Sequence, residues 1–126
     1  MIAADTSTWI AFFEGERGDD VGMLAEALRD RQVVMAPAVL TDLLSDPELP
    51  DSAAGTLSDL PLIETEVGYW ERAGRLQARV LAKKRKARLG DALIAQSCFD
   101  SGVSLLTRDR DFRSFADAAS LRLVIG

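Results

Sequence analysis

The chain has 126 residues, of which 48% are hydrophobic, and this predicts one globular domain over residues 1–126 rather than a disordered chain. Its formal charge is −5, so the field of the whole chain repels nucleic acid unless basic residues cluster locally. It contains no histidine and one cysteine, which excludes an internal disulfide and the usual Ser-His-Asp and Cys-His nucleophiles and argues against structural zinc. Any catalysis must therefore rest mainly on carboxylates, whose oxygen atoms suit Mg²⁺ or Mn²⁺.

Apolar and turn-forming segments alternate along the chain in a pattern typical of strands and helices. The predicted strands cover residues 1–4, 32–36, 60–63, 103–107 and 121–125. The predicted helices cover about residues 6–14, 20–31, 38–45, 51–59, 65–82 and 91–99. This alternation predicts an α/β fold with three layers, α/β/α, in which helices flank a central, mainly parallel sheet of about five short strands.

Apolar residues on three predicted helices are assigned to the core. Trp9, Phe12 and Phe13 give the first helix its apolar side, although contact with a partner protein is an alternative for them. Cys98 lies in an apolar, helix-like run. The long helix has a stripe at intervals of three and four residues, made of Val67, Trp70, Ala73, Leu76 and Val80. No signal peptide or membrane-spanning run is recognisable, so a cytoplasmic protein without membrane contact is expected.

Two aspartates follow predicted strands at their carboxyl ends. Asp5 follows the first strand, and Asp109 follows the fourth. Ligand sites in open α/β sheets form outside these ends, so both carboxylates are candidate metal ligands. The local alternatives are that Asp5 only caps the helix that begins after it, and that Asp109 only pairs with Arg108 or Arg110.

Two further aspartates lie within predicted helices that start from the same edge. Asp42 sits beside Val39 and Leu43, where a carboxylate is costly unless it is paired, although exposure on a short helix is an equal alternative. Asp91 lies in the first turn of its helix, where a role as N-cap is also compatible. If all four carboxylates converge, their mutual repulsion requires one or two divalent cations.

A basic run precedes Asp91 in the sequence. It contains five of the 15 lysines and arginines, namely Lys83, Lys84, Arg85, Lys86 and Arg88. Such a run is usually a solvated helix end, with charges that favour the negative end of the helix dipole. The functional alternative is a surface that contacts a phosphate backbone beside an active site.

In their order and spacing, four segments resemble the PIN-domain family, and within it the VapC-type ribonuclease toxins of bacterial toxin–antitoxin pairs. The segments are Asp5 to Ile10, Val39 to Pro47, Gly90 to Ala95 and Leu106 to Phe112. The resemblance covers nearly the whole chain and places the first, third and fourth acidic positions of the family at Asp5, Asp91 and Asp109. The second position, normally Glu, is Asp42 here, which shortens the reach of the side chain by one methylene.

The resemblance implies an endoribonuclease that depends on Mg²⁺ or Mn²⁺ and cleaves structured RNA such as tRNA or rRNA. Asp5, Asp91 and Asp109 then bind metal, and Asp42 completes the catalytic set through metal-bound water or a second ion. The substrate and its water shell are contacted by Thr6, Ser7, Thr107 and the basic run of Lys83, Lys84, Arg85, Lys86 and Arg88. The implied partners are RNA, a second copy of the chain, and a small antitoxin that covers the acidic groove.

Two other classes of function compete with a nuclease. A phospho-receiver or phosphatase also has carboxylates at strand ends, but a receiver needs a lysine after a later strand, and no lysine follows Arg88. A PIN-like module that only binds RNA or protein, with a weakened or inactive metal site, remains compatible because Asp42 replaces the usual Glu.

Overall fold

A computed structural model describes residues 1–126 and contains seven helices and a parallel sheet of three strands. The strands are β1 (Ile2–Ala4), β2 (Ser104–Thr107) and β3 (Leu123–Ile125), hydrogen-bonded in that order. The helices are α1 (Thr6–Phe13), α2 (Asp19–Arg29), α3 (Pro37–Leu44), α4 (Asp51–Ser58), α5 (Tyr69–Ala82), α6 (Leu89–Ser101) and α7 (Phe112–Ala119). None of these helices combines the length and the apolar character that crossing a bilayer requires.

Both faces of the sheet are covered. Ala3 and Ala4 of β1, like Leu105 and Leu106 of β2, are at most 1% exposed. Successive residues of a strand point to opposite faces, so helices must pack on both sides of the sheet. The predicted α/β architecture is confirmed, and burial on both faces explains why these strands are continuous apolar runs rather than alternating ones.

The expectation of about five strands is wrong in number, since the structure has three. Residues 32–36 and 60–63 reach the sheet only through isolated bridges, which join Ile2 to Val33 and Met35 to Leu62. Neither segment can extend its pairing, because Pro61 has no N–H to donate and helix α3 starts at Pro37.

Helix α7 was absent from the predicted elements. Its buried residues Phe112, Phe115 and Ala119 recur at the helical spacing of i, i+3 and i+7, which was the available signal. The helix follows directly on the segment that carries Asp109, so it fixes the chain on the far side of that carboxylate.

The core assignments are mostly confirmed. Trp9 and Cys98 are fully buried and belong to one cluster of 25 core residues, whereas Phe13 is 36% exposed. The predicted stripe of the long helix is wrong at its start, because Val67 and Trp70 are 98% and 66% exposed. The helix begins at Tyr69, which takes the buried position next to Ala73 and Leu76 and donates a hydrogen bond to the carbonyl of Leu93 at 2.7 Å.

Candidate metal centre

The four predicted acidic residues line one cleft of about 580 Å³, together with small, polar and apolar side chains. Asp5 follows β1, and Asp109 lies two residues beyond the end of β2. Because β1 and β2 are parallel neighbours, with Ala4 opposite Leu106, the two carboxylates emerge at the same edge of the sheet. Helix α3 brings Asp42 to the cleft, and the first turn of α6 brings Asp91.

Asp5 is held in place by three donors. Its Oδ1 accepts hydrogen bonds from Ser7 Oγ at 2.6 Å and from the backbone N–H of Thr8 at 3.2 Å. Its Oδ2 accepts one from Thr107 Oγ1 at 2.7 Å. Burial raises the pKa of Asp5, against the lowering effect of these hydrogen bonds and with a further rise from the charge of Asp109. Asp5 therefore caps α1, as the local alternative predicts, and also presents a fixed carboxylate to the cleft.

Thr107 links the two carboxylates at the sheet edge. Its hydroxyl donates to Asp5 and accepts a hydrogen bond from the backbone N–H of Asp109 at 2.9 Å. Asp109 Oδ1 in turn accepts from the N–H of Asp111 at 2.9 Å. Asp109 forms no ion pair, so the alternative in which Arg108 or Arg110 merely neutralises it is wrong.

Asp91 is the carboxylate without a partner. Its side chain is half-buried and forms no hydrogen bond or ion pair within the chain. Burial and the charge of Asp109 raise its pKa to about 6, although Arg88 acts in the opposite direction. The N-cap alternative is wrong, because the N-cap position of α6 is Arg88 and Asp91 lies inside the first turn.

Asp42 reaches the cleft from an exposed position on α3. Its Oδ2 accepts a hydrogen bond of 2.6 Å from Thr6 Oγ1, which joins α3 to α1. The apolar neighbours Val39 and Leu43 are buried, but the carboxylate itself points away from them.

Thr6 and Ser7 are expected from the sequence to contact the substrate and its water shell. In the structure their hydroxyl groups instead donate hydrogen bonds to the carboxylates of Asp42 and Asp5.

The carboxylates share a cleft but do not meet at one point. No three of them lie close enough together to form a ready-made metal site. Like charges at this edge repel each other, and Asp5 and Asp42 are held by their own hydroxyl donors. The convergence expected from the sequence is therefore partial.

The basic run divides among three surroundings. Arg88 lines the acidic cleft, and Lys86 lies 3.5 Å from the carboxylate of Asp111. Lys83 and Arg85 line a separate small pocket, while Lys84 follows the end of α5 with a positive φ of 61°. All five basic side chains are exposed, but Arg88 is the one that borders the carboxylates.

A buried ion pair behind the cleft was not predicted. Arg108 Nε donates to Asp20 Oδ2 at 2.9 Å, and Thr8 Oγ1 donates to the same oxygen at 2.8 Å. Asp20 is fully buried. Of its two partners, Thr8 follows Asp5 by three residues and Arg108 directly precedes Asp109. The pair thus anchors both strand ends to α2. The 88 residues between Arg108 and Asp20 leave no local signal for it.

Replacing Asp91 by Asn is expected to stabilise the metal-free protein at pH 8 and to have no effect on stability near pH 3. The pKa of Asp91 is about 6 in the folded chain against an ordinary value of 3.8, so its carboxyl group loses its proton more readily in the unfolded chain. The free energy of unfolding of the protein therefore falls as pH rises from 3.8 to about 6. After allowance for screening at a half-buried group, we expect a gain of about 4 °C in Tm.

Thermal unfolding in EDTA at both pH values measures this effect. Glu26→Gln, an exposed carboxylate on α2, is the control and should change Tm little at either pH. An equal gain for Asp91→Asn at both pH values would contradict a charge-dependent origin.

Comparison with known proteins identifies the fold. The model of the PIN-domain family matches residues 2–118. Curated protein sequences give no match. Among solved structures, VapBC2 from Rickettsia felis, bound to a promoter DNA fragment, is similar with a TM-score of 0.74 at 19% identity, over 100% of this chain and 99% of that chain. VapBC-5 from Mycobacterium tuberculosis is similar with a TM-score of 0.71 at 22% identity, over 99% and 98% of the two chains.

Proposed function

The chain belongs to the PIN-domain family, and on this premise we propose that it is a metal-dependent endoribonuclease, the toxin of a toxin–antitoxin pair of the VapBC type. The observation that carries the proposal is Asp91, a partnerless carboxylate in a cleft that it shares with Asp5, Asp42 and Asp109. The substrate class that we propose is structured RNA such as tRNA or rRNA.

The donor set fits Mg²⁺ or Mn²⁺. The cleft offers carboxylate and hydroxyl oxygens and contains no sulfur or imidazole ligand, which is the set that hard cations prefer. Since the pKa of Asp91 is about 6, its carboxylate is charged at neutral pH. Arg88 lies near enough to affect that charge but forms no ion pair with it. We assign Asp5, Asp91 and Asp109 as metal ligands, with Asp42 acting through bound water.

A divalent ion held by these carboxylates would supply a bound water of lowered pKa and would stabilise charge on the phosphate. The residues of the chain position the groups around it. Ser7 and Thr107 keep both oxygens of Asp5 oriented, since each donates to a different one. Thr6 orients Asp42 in the same way. Arg88, which lines the cleft, would bind the phosphate next to the scissile bond, and the rest of the basic run would hold the RNA backbone.

A groove beside the cleft supports the proposal of an antitoxin partner. The groove has a volume of about 490 Å³, and it shares Thr6, Ile10 and Asp42 with the acidic cleft. It exposes Ile10 and Phe13, which are 44% and 36% accessible. An antitoxin segment with apolar side chains would cover both regions at once. One of the similar structures is described as a member of the VapBC family of toxin–antitoxin systems, which supports the proposal of such a partner. We further propose that the toxin assembles as a homodimer.

The alternative function is a module that binds RNA or protein with an inactive metal site. Two observations favour it: Asp42 is shorter than the usual Glu, and no three carboxylates form a ready-made metal site. Cleavage of bulk tRNA with Mn²⁺, against an EDTA control, separates the two functions. Binding without cleavage at any Mn²⁺ concentration would favour the binding module.

Variants of Asp42 test how this corner of the cleft contributes. Asp42→Asn is expected to lower the rate of cleavage by about 10- to 100-fold, as is usual for groups that support a metal ligand. Asp42→Glu is expected to raise the rate, because its longer side chain reaches further into the cleft. Initial rates at saturating Mn²⁺ measure both effects. A loss of activity in Asp42→Glu as large as in Asp42→Asn would contradict the assignment.

A further inference from the structure

A second cleft lies away from the acidic one, between α5, α6 and α7. Its volume is about 460 Å³, and it shares no lining residue with the acidic cleft. The polar and aromatic side chains that line it are Arg72, Arg75, Arg79, Gln96, Phe99 and Ser120. Three arginines in one cleft are unexpected in a chain whose net charge is −5.

One of the three arginines is committed to the fold. Arg72 donates to Asp100 Oδ2 at 2.5 Å and to the carbonyl of Val67 at 2.6 Å. Gln96 Nε2 donates to the other oxygen of Asp100 at 2.9 Å, so each oxygen of this carboxylate accepts a hydrogen bond. The charge of Arg72 is therefore balanced within the chain, and its guanidinium is fixed at the wall of the cleft.

The other two arginines are free to bind an anion. Arg75 and Arg79 are exposed and form no ion pair. They are four residues apart on α5, so they lie on the same side of the helix with their Cβ atoms about 6 Å apart. Two guanidinium forks at this spacing match the bidentate recognition of phosphate oxygens.

The same cleft presents an aromatic surface. Phe99, on α6, is 47% exposed although it is a large apolar side chain. Exposed aromatic rings beside arginines are the usual platform for unpaired bases, which stack on the ring while the phosphates contact the guanidinium groups. An acidic peptide would use the arginines but gain little from Phe99.

We propose that this second cleft binds a single-stranded segment of RNA, with phosphates on Arg75 and Arg79 and a base stacked on Phe99. The inference rests on the proposed function, in that it takes RNA as the substrate. Helix α6 joins the two clefts, since Asp91 and Phe99 are eight residues apart, or about 12 Å along its axis. A strand held in the second cleft would tether an RNA whose structured part enters the acidic cleft.

Binding of a fluorescein-labelled oligoadenylate, measured by anisotropy in EDTA, tests the proposal without requiring cleavage. Arg75→Ala and Arg79→Ala are each expected to weaken binding severalfold and to make the slope of log K against log salt shallower by about 0.7. The double variant should lower affinity by about tenfold or more. Arg29→Ala, an exposed arginine at the end of α2, is the matched control and should match the wild type. Alanine favours helix, so these variants should fold.

Phe99→Leu tests the stacking surface separately. Leucine keeps the apolar contact but has no aromatic face, so affinity for oligoadenylate should fall by at least about fivefold. Affinity for duplex RNA should not change, because paired bases cannot stack on the ring.

Three results would overturn the proposal: oligoadenylate binding that is absent in the wild type, unchanged in the double arginine variant, or abolished by micromolar AMP, which would indicate a mononucleotide site. Unchanged RNA binding with weakened binding of a poly-glutamate peptide would assign the cleft to a protein partner instead. Because binding is measured without metal, failure of tRNA cleavage would contradict the nuclease proposal and leave this result standing.

Discussion

Asp91→Asn is expected to lower the rate of Mn²⁺-dependent RNA cleavage by more than about 100-fold. Groups that only support a metal ligand cost up to about 100-fold when they are replaced, and a direct ligand should cost more. Asn has nearly the same shape as Asp but carries no charge and is a weaker ligand for a hard cation. Asp91 has no partner in the chain whose loss would complicate the result. Its raised pKa of about 6 also predicts that cleavage increases with pH through about 6, where half of the carboxylate has lost its proton, and levels off above that pH.

Initial rates on bulk tRNA with Mn²⁺ measure the loss, with Asp46→Asn as the matched control. Asp46 is an exposed aspartate that borders the neighbouring groove but not the acidic cleft. The control should retain the wild-type rate. If Asp91→Asn cleaved RNA within about threefold of the wild type, a difference below about 1 kcal/mol in the barrier, Asp91 would not bind the catalytic ion.

Asp20→Ala is expected to lower the free energy of unfolding by about 3 kcal/mol, the lower end of the cost of breaking a buried ion pair. The lower end applies because the side chain of Arg108 is 26% exposed and can regain water, whereas Asp20 is fully buried. The variant also leaves Thr8 Oγ1 without its acceptor. The corresponding decrease in Tm is on the order of 10 °C for a chain of this size.

Asp19→Ala is the control for this change, since Asp19 is the exposed neighbour in the same turn of α2. It should cost less than about 1 kcal/mol, the contribution of a charge near a helix N-terminus. Burial tends to raise the pKa of Asp20, but hydrogen bonds from Arg108 and Thr8 hold it below its ordinary value of 3.8. The contribution of the pair to the free energy of unfolding is therefore complete at neutral pH and is lost as pH falls below 3.8, through the lowered pKa of Asp20. Equal losses for the two variants would contradict a role for the buried pair.

The strand-end carboxylates could be predicted because they depend on short-range patterns. An apolar run that ends in Asp5, and another that ends before Asp109, place both groups at one edge once the strands are parallel. The three-layer architecture followed from the alternation of strands and helices. The positions of Asp42 and Asp91 on predicted helices made them candidates as well, and the resemblance to the PIN-domain family, whose model matches residues 2–118, implied their roles.

The remaining features depend on contacts between distant parts of the chain. Thr6 and Asp42 are 36 residues apart, and Arg108 and Asp20 are 88 apart, so no periodicity indicates these pairs. Tyr69 and Trp70 lie four and three residues before Ala73, so both fit the helical period of the buried stripe, and only the packing of the first turn of α5 buries Tyr69 and exposes Trp70. The partial convergence of the carboxylates depends in turn on hydroxyl donors whose orientation is set by tertiary structure.

The central claim is that the carboxylates of the cleft bind a divalent cation. A crystal structure of the wild-type chain grown with Mn²⁺, with anomalous scattering collected for manganese, tests it most directly. We expect one strong anomalous peak in the cleft, coordinated by a carboxylate oxygen of Asp5 and one of Asp91. A cleft without manganese at saturating concentration, or an ion that neither of these aspartates coordinates, would contradict the claim.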